Sequence, residues 1–393
     1  MRPVSAVIVA FLALFASAGP AVASLGGRLA AVLAASGLDR SRSAAVALDL
    51  ETGKTVFALN PWLSLAPASN EKLAITFAAL EALGPAYRIE TDVLGRGELE
   101  GATWRGDLYL RGRGDPTLTR DGLATLAAQL RDAGIRRVSG SIVGDESFFD
   151  SRRTALGWKP DFYVNESPPL SALAVERSDS SEPAAEAAVA FRDALRARGI
   201  AVAGSVRLGR SPARSFPLAS LLSPPLRDVV RYMDTESDNY TAELLLKQLG
   251  AVVARLGSSP AGAAVVTGVL THAGIPTRGI RIVDGSGLSR LDRLTAGGIV
   301  ALLQAAFADP LVRPTFLAAL PVAGRTGTLA DRLNAPPARG NVLAKTGTTN
   351  TASALSGFAK ARYAFAILQN GNPIATSAAR AAQDRFAAIL AAQ

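Results

Sequence analysis

A serine and a lysine three positions apart, Ser69 and Lys72, open a helical run in the stretch Ala66-Pro67-Ala68-Ser69-Asn70-Glu71-Lys72-Leu73-Ala74-Ile75. Residues three apart on a helix share a face, separated by about 4.5 Å along the axis, so the Lys72 amine can reach the Ser69 hydroxyl. A serine hydroxyl is a poor nucleophile until a neighbouring base takes its proton. The positive end of the helix dipole also favours negative charge developing at Ser69. The plainer meaning is an N-cap serine beside a solvated lysine, because this spacing is common.

Two later stretches carry the same kind of chemistry. Ser237-Asp238-Asn239 falls in a break between helical runs, where short polar side chains cap a helix or project into a cleft. Lys345-Thr346-Gly347-Thr348 ends an apolar strand-like stretch, where glycine permits close backbone approach by a ligand or simply makes a hairpin turn. Lysine is scarce in a chain with 42 basic residues, standing only at Lys54, Lys72, Lys159, Lys247, Lys345 and Lys360. Arginine cannot be deprotonated at working pH, whereas lysine can be tuned into a base. Two of the few lysines lie in these motifs.

The elements that must position them can be read from hydrophobic spacing. Leu73, Phe77, Leu80 and Leu83 define the helix after Ser69, which ends at Gly84-Pro85. Before it come an amphipathic helix at 25–38 and a hairpin at 43–59 turned at Glu51-Thr52-Gly53-Lys54. From Tyr87 the character changes: strands at 91–99, 103–110 and 137–144, a helix at 120–133, a Pro- and aromatic-rich loop at 158–169, a helix at 182–198 and a strand at 200–208. A Pro/Ser-rich stretch, 209–225, reads as a linker. Helices resume at 226–233, 240–256, 260–273, 296–307 and 311–320, followed by three antiparallel strands at 341–345, 354–359 and 363–368 and a closing helix at 377–391. The motifs lie in the first and last blocks. The predicted organisation is therefore α/β (α+β), an antiparallel sheet flanked by helices (24–86 and 215–393), with an α+β domain (87–214) inserted into it.

In order, these motifs resemble the S-x-x-K, S-x-N and K-T-G signature of penicillin-recognising serine enzymes. The wider chain resembles class C penicillin-binding proteins of the D-alanyl-D-alanine carboxypeptidase/endopeptidase type. The resemblance is carried also by Gly112-Arg113-Gly114-Asp115-Pro116 and Asp284-Gly285-Ser286-Gly287-Leu288-Ser289-Arg290. It implies a transpeptidase-like domain in which Ser69 is acylated and Lys72 is its base, while Ser237 and Lys345 relay a proton to the leaving amine. It further implies that Asn239 bonds the substrate amide and that the N–H groups of Ser69 and Thr348 form an oxyanion hole. The Thr346-Gly347-Thr348 stretch would hold a terminal carboxylate beside Lys345. For the rest of a peptidoglycan stem peptide it suggests Asp145 for an amino group and Arg290 for a carboxylate, with β-lactam antibiotics as inhibitors. The insert is short at Val175 to Glu182, so the family's third small domain is expected to be reduced or missing. Two similar stretches are set aside. Arg325-Thr326-Gly327-Thr328 offers a base that cannot deprotonate, and Glu166-Ser167-Pro168-Pro169-Leu170 fails the deacylation pattern of class A β-lactamases.

Composition bounds this reading. Residues 1–23 have the charged start, apolar run and Ala21-Val22-Ala23 cleavage site of a secretory signal, so the protein is expected to be exported, to the periplasm. Cysteine is absent, which excludes disulfides and thiolate chemistry. The formal charge of +9 suits an anionic polymer, and no arginine–aromatic cluster points to nucleic acid. The single histidine, His272, has no accompanying Ser or Asp motif and reads as structural. No metal or cofactor is implied. The alternatives are a β-lactamase or esterase with the same acylation machinery, and a catalytically silent wall-binding protein.

Overall fold

A computed structural model describes residues 24–393, so the expected signal segment lies outside the described residues. Helix α1 (Leu25–Ala34) leads into the hairpin β1 (Ser43–Asp49) and β2 (Thr55–Leu59), and α2 (Glu71–Leu83) follows a single 3-10 turn, Ala68–Asn70. After the inserted segment come α5 (Leu226–Glu236), α6 (Asn239–Val253), α7 (Ser259–His272), α8 (Ala296–Ala308) and α9 (Arg313–Ala319). Strands β10 (Val342–Thr348), β11 (Ala352–Ala359) and β12 (Tyr363–Asn370) precede α10 (Thr376–Ala391). The sheet order is β10-β11-β12-β1-β2, antiparallel throughout. Both its faces are covered. Leu29, Phe365, Phe386 and Leu390 pack on the side of α1 and α10, and Phe77, Leu303, Phe358 and Leu368 on the side of α2 and α8. This explains why β1, β11 and β12 are apolar without alternation, as strands buried on both faces are.

The inserted segment builds a second sheet from β3 (Glu90–Glu100), β4 (Thr103–Arg111), β5 (Arg137–Val138), β6 (Ile142–Asp145), β7 (Ala201–Val202), β8 (Val206–Leu208) and β9 (Phe216–Leu222). Helices α3 (Arg120–Asp132) and α4 (Pro183–Ala197) pack on it over Leu108, Leu126, Ile142 and Phe191. The strands expected at 137–144 and 200–208 are each broken in two. Gly106, Gly140 and Gly204 lie side by side at the break, with Gly140 N–H bonded to Gly106 O (3.1 Å) and Gly204 N–H to Gly140 O (3.0 Å). A Cβ on Gly140 or Gly204 would strike the neighbouring backbone, so the three chains bend together where only glycine fits.

The linker expected at 209–225 is corrected for its second half. Residues 216–222 are β9, paired antiparallel with β3 from Glu90↔Leu222 to Gly95↔Phe216. Prolines at 217 and 224–225 obscured it; Pro217 is tolerated because β9 is an edge strand. The chain enters and leaves this sheet at adjacent points, where Ser223 N–H bonds Ile89 O (2.8 Å) and Ser223 Oγ accepts from Ile89 N–H (2.9 Å). The connection from Val175 to Glu182 carries no helix or strand.

Candidate active site

Ser69 sits in the 3-10 turn before α2, half-buried, and Lys72 lies on the first turn of α2, fully buried. Lys72 Nζ is 3.2 Å from Ser69 Oγ, 2.9 Å from Asn239 Oδ1 and 2.8 Å from the carbonyl of Ser286. Three acceptors thus aim the amine, and none is a carboxylate. Burial pushes the Lys72 amine down to about 8, against the opposing pull of Asp284, Asp234, Glu243 and Asp238. Burial is the main cause.

The third motif approaches from β10. Asn70 Nδ2 donates to Lys345 O (3.0 Å), tying the Ser69 turn to that strand. A Cβ on Gly347 would sit 2.8 Å from Pro67 O and 3.1 Å from Ser69 N, so glycine is what lets β10 close on the turn. Lys345 is fully buried, and burial, then the charge of Lys72, lower its amine to about 7. Beneath both amines lies Asp234 of α5, fully buried, accepting from Thr76 Oγ1 at 2.6 Å. Burial raises its carboxyl to about 6, against the pull of Lys345. Ser237 ends α5 in the left-handed region (φ 59°) and lines a cavity of about 350 Å³ with Ser69, Thr346 and Thr348. Its neighbour Asp238 caps α6 through Thr241 N–H (2.8 Å) and is gripped by Arg177 at 2.6 and 3.1 Å. Arg177 comes from the short connection after Val175 and stacks on Tyr232 and Tyr240. Burial would raise the Asp238 carboxyl, but Arg177 holds it below the usual range.

The Ser286 carbonyl is positioned by buried carboxyls. Asp284 accepts from Gly287 N–H and Ser289 N–H (both 2.7 Å) and from Trp158 Nε1 (2.8 Å). Glu243 Oε1 accepts from Gly285 N–H (3.0 Å) and Ser286 N–H (2.8 Å). Asp292 Oδ1 accepts from Val283 N–H (2.7 Å), and Glu71 completes the group. Gly287 has φ 83°, and a Cβ there would collide with Ala68 O, so this loop is packed hard against the Ser69 turn. Burial pushes Glu243 up to about 8 and Glu71 and Asp292 well above the carboxylate range. Among the described residues, both Glu71 oxygens, Glu243 Oε2 and Asp292 Oδ2 have no hydrogen-bond partner.

A second cavity, about 470 Å³, meets the first at Thr348 and is roofed by the aromatic-rich loop. Asn239 Nδ2 donates to Glu166 O (3.0 Å) in that loop; its side chain is thus already bonded at both ends. Arg290 is exposed and lines this cavity, facing the loop residues Lys159, Asp161 and Phe162. Asp145 is not brought to the cleft. It is fully buried at the end of β6, accepting from Ser147 N–H (2.9 Å), Ser211 N–H (2.8 Å) and Ser211 Oγ (2.6 Å). These bonds outweigh its burial and hold the carboxyl low. Two acids line the cavity with Arg290, Asp161 and Glu166, and the sequence pointed to Asp161 only by its place in the aromatic-rich loop. Thr328, from the set-aside Arg325–Thr328 stretch, bonds Thr346 Oγ1 (2.8 Å), and Arg380 of α10 donates to Thr348 Oγ1 (3.2 Å). Asp161, Arg177, Asp234, Thr328 and Arg380 lie outside the motifs, and local sequence marks none of them. His272 is exposed at the end of α7 and lines neither cavity of the cleft.

This arrangement coincides with a match to the D-Ala-D-Ala carboxypeptidase 3 (S13) family over residues 25–181 and 176–393. The chain belongs to that family. The enzyme is a serine-type DD-peptidase, with the penicillin-recognising serine hydrolase fold. It is 32% identical to a D-alanyl-D-alanine carboxypeptidase of Actinomadura sp., covering 92% of this chain and 83% of that protein. It is 29% identical to D-alanyl-D-alanine carboxypeptidase DacB of Haemophilus influenzae over 74% of this chain and 76% of that one. The crystal structure of penicillin-binding protein 4 from Haemophilus influenzae superposes with a TM-score of 0.82 at 24% identity, covering 91% of this chain and 97% of that chain. The two family segments meet at 176–181, in the short connection that supplies Arg177. No helix among the described residues is long and apolar enough to cross a membrane.

Proposed function

We propose that the protein is exported and hydrolyses D-Ala-D-Ala termini or DD-cross-links of peptidoglycan stem peptides through an acyl-enzyme at Ser69, and that penicillin inhibits it by acylating the same hydroxyl. The observation that carries this reading is the buried Lys72 amine, aimed at Ser69 Oγ by Asn239 and Ser286 O without a carboxylate to fix its charge. Neutral Lys72 takes the Ser69 proton as Oγ attacks the carbonyl carbon of the penultimate D-Ala. The oxyanion forms against the N–H groups of Ser69 and Thr348. The proton reaches the departing amine through Ser237 and Lys345, the C–N bond breaks, and water releases the acyl group. Thr346, Thr348 and Arg380, with Lys345 behind them, supply donors for the terminal carboxylate. Asp161 and Arg290, in the adjoining cavity, are of opposite sign and suit a stem-peptide side chain ending in an ammonium and a carboxylate. Asn239 would release Glu166 O to meet the substrate amide.

Incubation with penicillin, proteolysis and mass spectrometry should find the adduct on the Ser69 peptide, and digestion of muropeptides should release D-Ala or split cross-links. An adduct elsewhere, or no D-Ala release, would sink this mechanism. Asp161→Asn should raise KM for stem peptides several-fold while leaving penicillin acylation nearly unchanged. Asp145→Asn should not separate the two substrates in this way.

A further inference from the structure

A cavity of about 770 Å³ opens elsewhere, at the carboxyl ends of β4, β6 and β8, where the second sheet meets the turn after α6. Crevices outside the carboxyl ends of parallel strands are where open α/β sheets place ligands. Arg111 ends β4, Ser147 follows β6, Arg210, Ser211 and Ser215 follow β8, and Arg255 follows α6. No lining residue is acidic, and none is shared with the cavities beside Ser69. The nearby carboxylates are committed: Asp92 to Arg113 (2.7 Å), Asp107 to Arg207 (2.6 Å), and Asp145 to Ser147 and Ser211. Among the described residues, Arg111, Arg210 and Arg255 make no ion pair. Ser215 Oγ, also in the lining, is buried without a partner. Asp145 therefore has a task other than the one its sequence suggested: it pins together the two loops that carry Ser147 and Ser211.

We propose that this cavity binds the carboxylates of a second stem peptide on the peptidoglycan strand being processed. Guanidinium forks match carboxylates in two-point geometry and stay charged at any working pH. The lining also holds Leu94, Phe148 and Pro212, which fits a peptide better than a bare ion. Its volume is within the range of about 300–1,000 Å³ that holds a small organic ligand. The loop that begins here at Ser147 and Phe148 continues to Asp161 and Glu166 in the cleft beside Ser69. The identity of the ligand rests on the peptidoglycan reading; the anion site rests on the cavity.

The test compares the native enzyme with the Arg111→Gln/Arg255→Gln double variant on three substrates: penicillin, a short acyl-D-Ala-D-Ala, and muropeptides bearing several stems. The expected result is unchanged penicillin acylation and short-substrate hydrolysis, with KM for multi-stem muropeptides raised about tenfold and its salt dependence reduced. Equal KM on multi-stem substrate, or parallel losses on all three, overturns the proposal. Calorimetry on penicillin-acylated native enzyme, titrated separately with an uncross-linked disaccharide tetrapeptide and with inorganic phosphate, distinguishes the ligand. Binding of the tetrapeptide that the double variant loses supports it, whereas binding of phosphate alone overturns it. If the native enzyme hydrolyses no short substrate, the peptidase reading fails. The cavity is then judged by calorimetry on the unmodified enzyme, where tetrapeptide binding sustains it and its absence overturns it.

Discussion

Lysine and arginine divide the positive charge of this molecule between two regions with different physics. In the cleft beside Ser69, Lys72 and Lys345 are wholly buried, and among the described residues neither has a carboxylate within ion-pair distance. In the cavity at the end of the second sheet, Arg210 and Arg255 are exposed and Arg111 half-buried, all without an ion pair among the described residues. Dehydration acts on the first pair by making the neutral amine accessible, at a cost to charging Lys72 of about 3 kcal/mol. It cannot do so for a guanidinium, which keeps its charge and binds. Lys247 is placed differently. It is as buried as the other two but pairs with Asp150 and donates to Arg152 O (3.0 Å).

The strongest way to break this contrast is to exchange the cation. Lys72→Arg should lose about 10²–10⁴-fold in the rate of Ser69 acylation by labelled penicillin, nearly as much as Lys72→Ala, because a guanidinium cannot accept the proton. Acylation close to the native rate would show that charge suffices there.

A smaller effect comes from pH. The Lys72 amine is lowered from 10.5 to about 8, so the neutral base is present above about 8 and is lost as pH falls through that value. The acylation rate should climb with pH, approaching tenfold per unit below that point, and flatten just above it. A climb continuing to roughly 10.4, the reference for a solvated lysine, would mean that burial does not act on this amine.

The smallest effect on chemistry should come from Lys247. Lys247→Met removes an ion pair remote from Ser69 and should lower Tm while leaving acylation per folded molecule within about twofold. A large loss of acylation would join Lys247 to the catalytic group and dissolve the distinction between paired and unpaired buried lysines.

What the sequence by itself determined was most of the helices and strands and the resemblance carried by the three motifs, because each rests on local chemistry. Helix α2 shows its apolar spacing, Gly347 its permissive backbone, and the scarcity of lysine marked Lys72 and Lys345. Local reading failed wherever a partner distant in the chain decided the outcome. Strand β9 contains Pro217 and is a strand only because β3 offers an edge. The strands at 137–144 and 200–208 broke because Gly106 and Gly140 stack across the sheet. Asp145 and Asp161 are both loop or strand-end acids in sequence. Tertiary packing buries one under Ser147 and Ser211 and leaves the other beside Arg290. The state of the lysines was likewise settled in three dimensions, since dehydration of Lys72 depends on α6, β10 and the Ser286 loop closing over α2 together. Spacing along the chain brings a base within reach of a serine; only the enclosing fold removes the water that would keep that base charged.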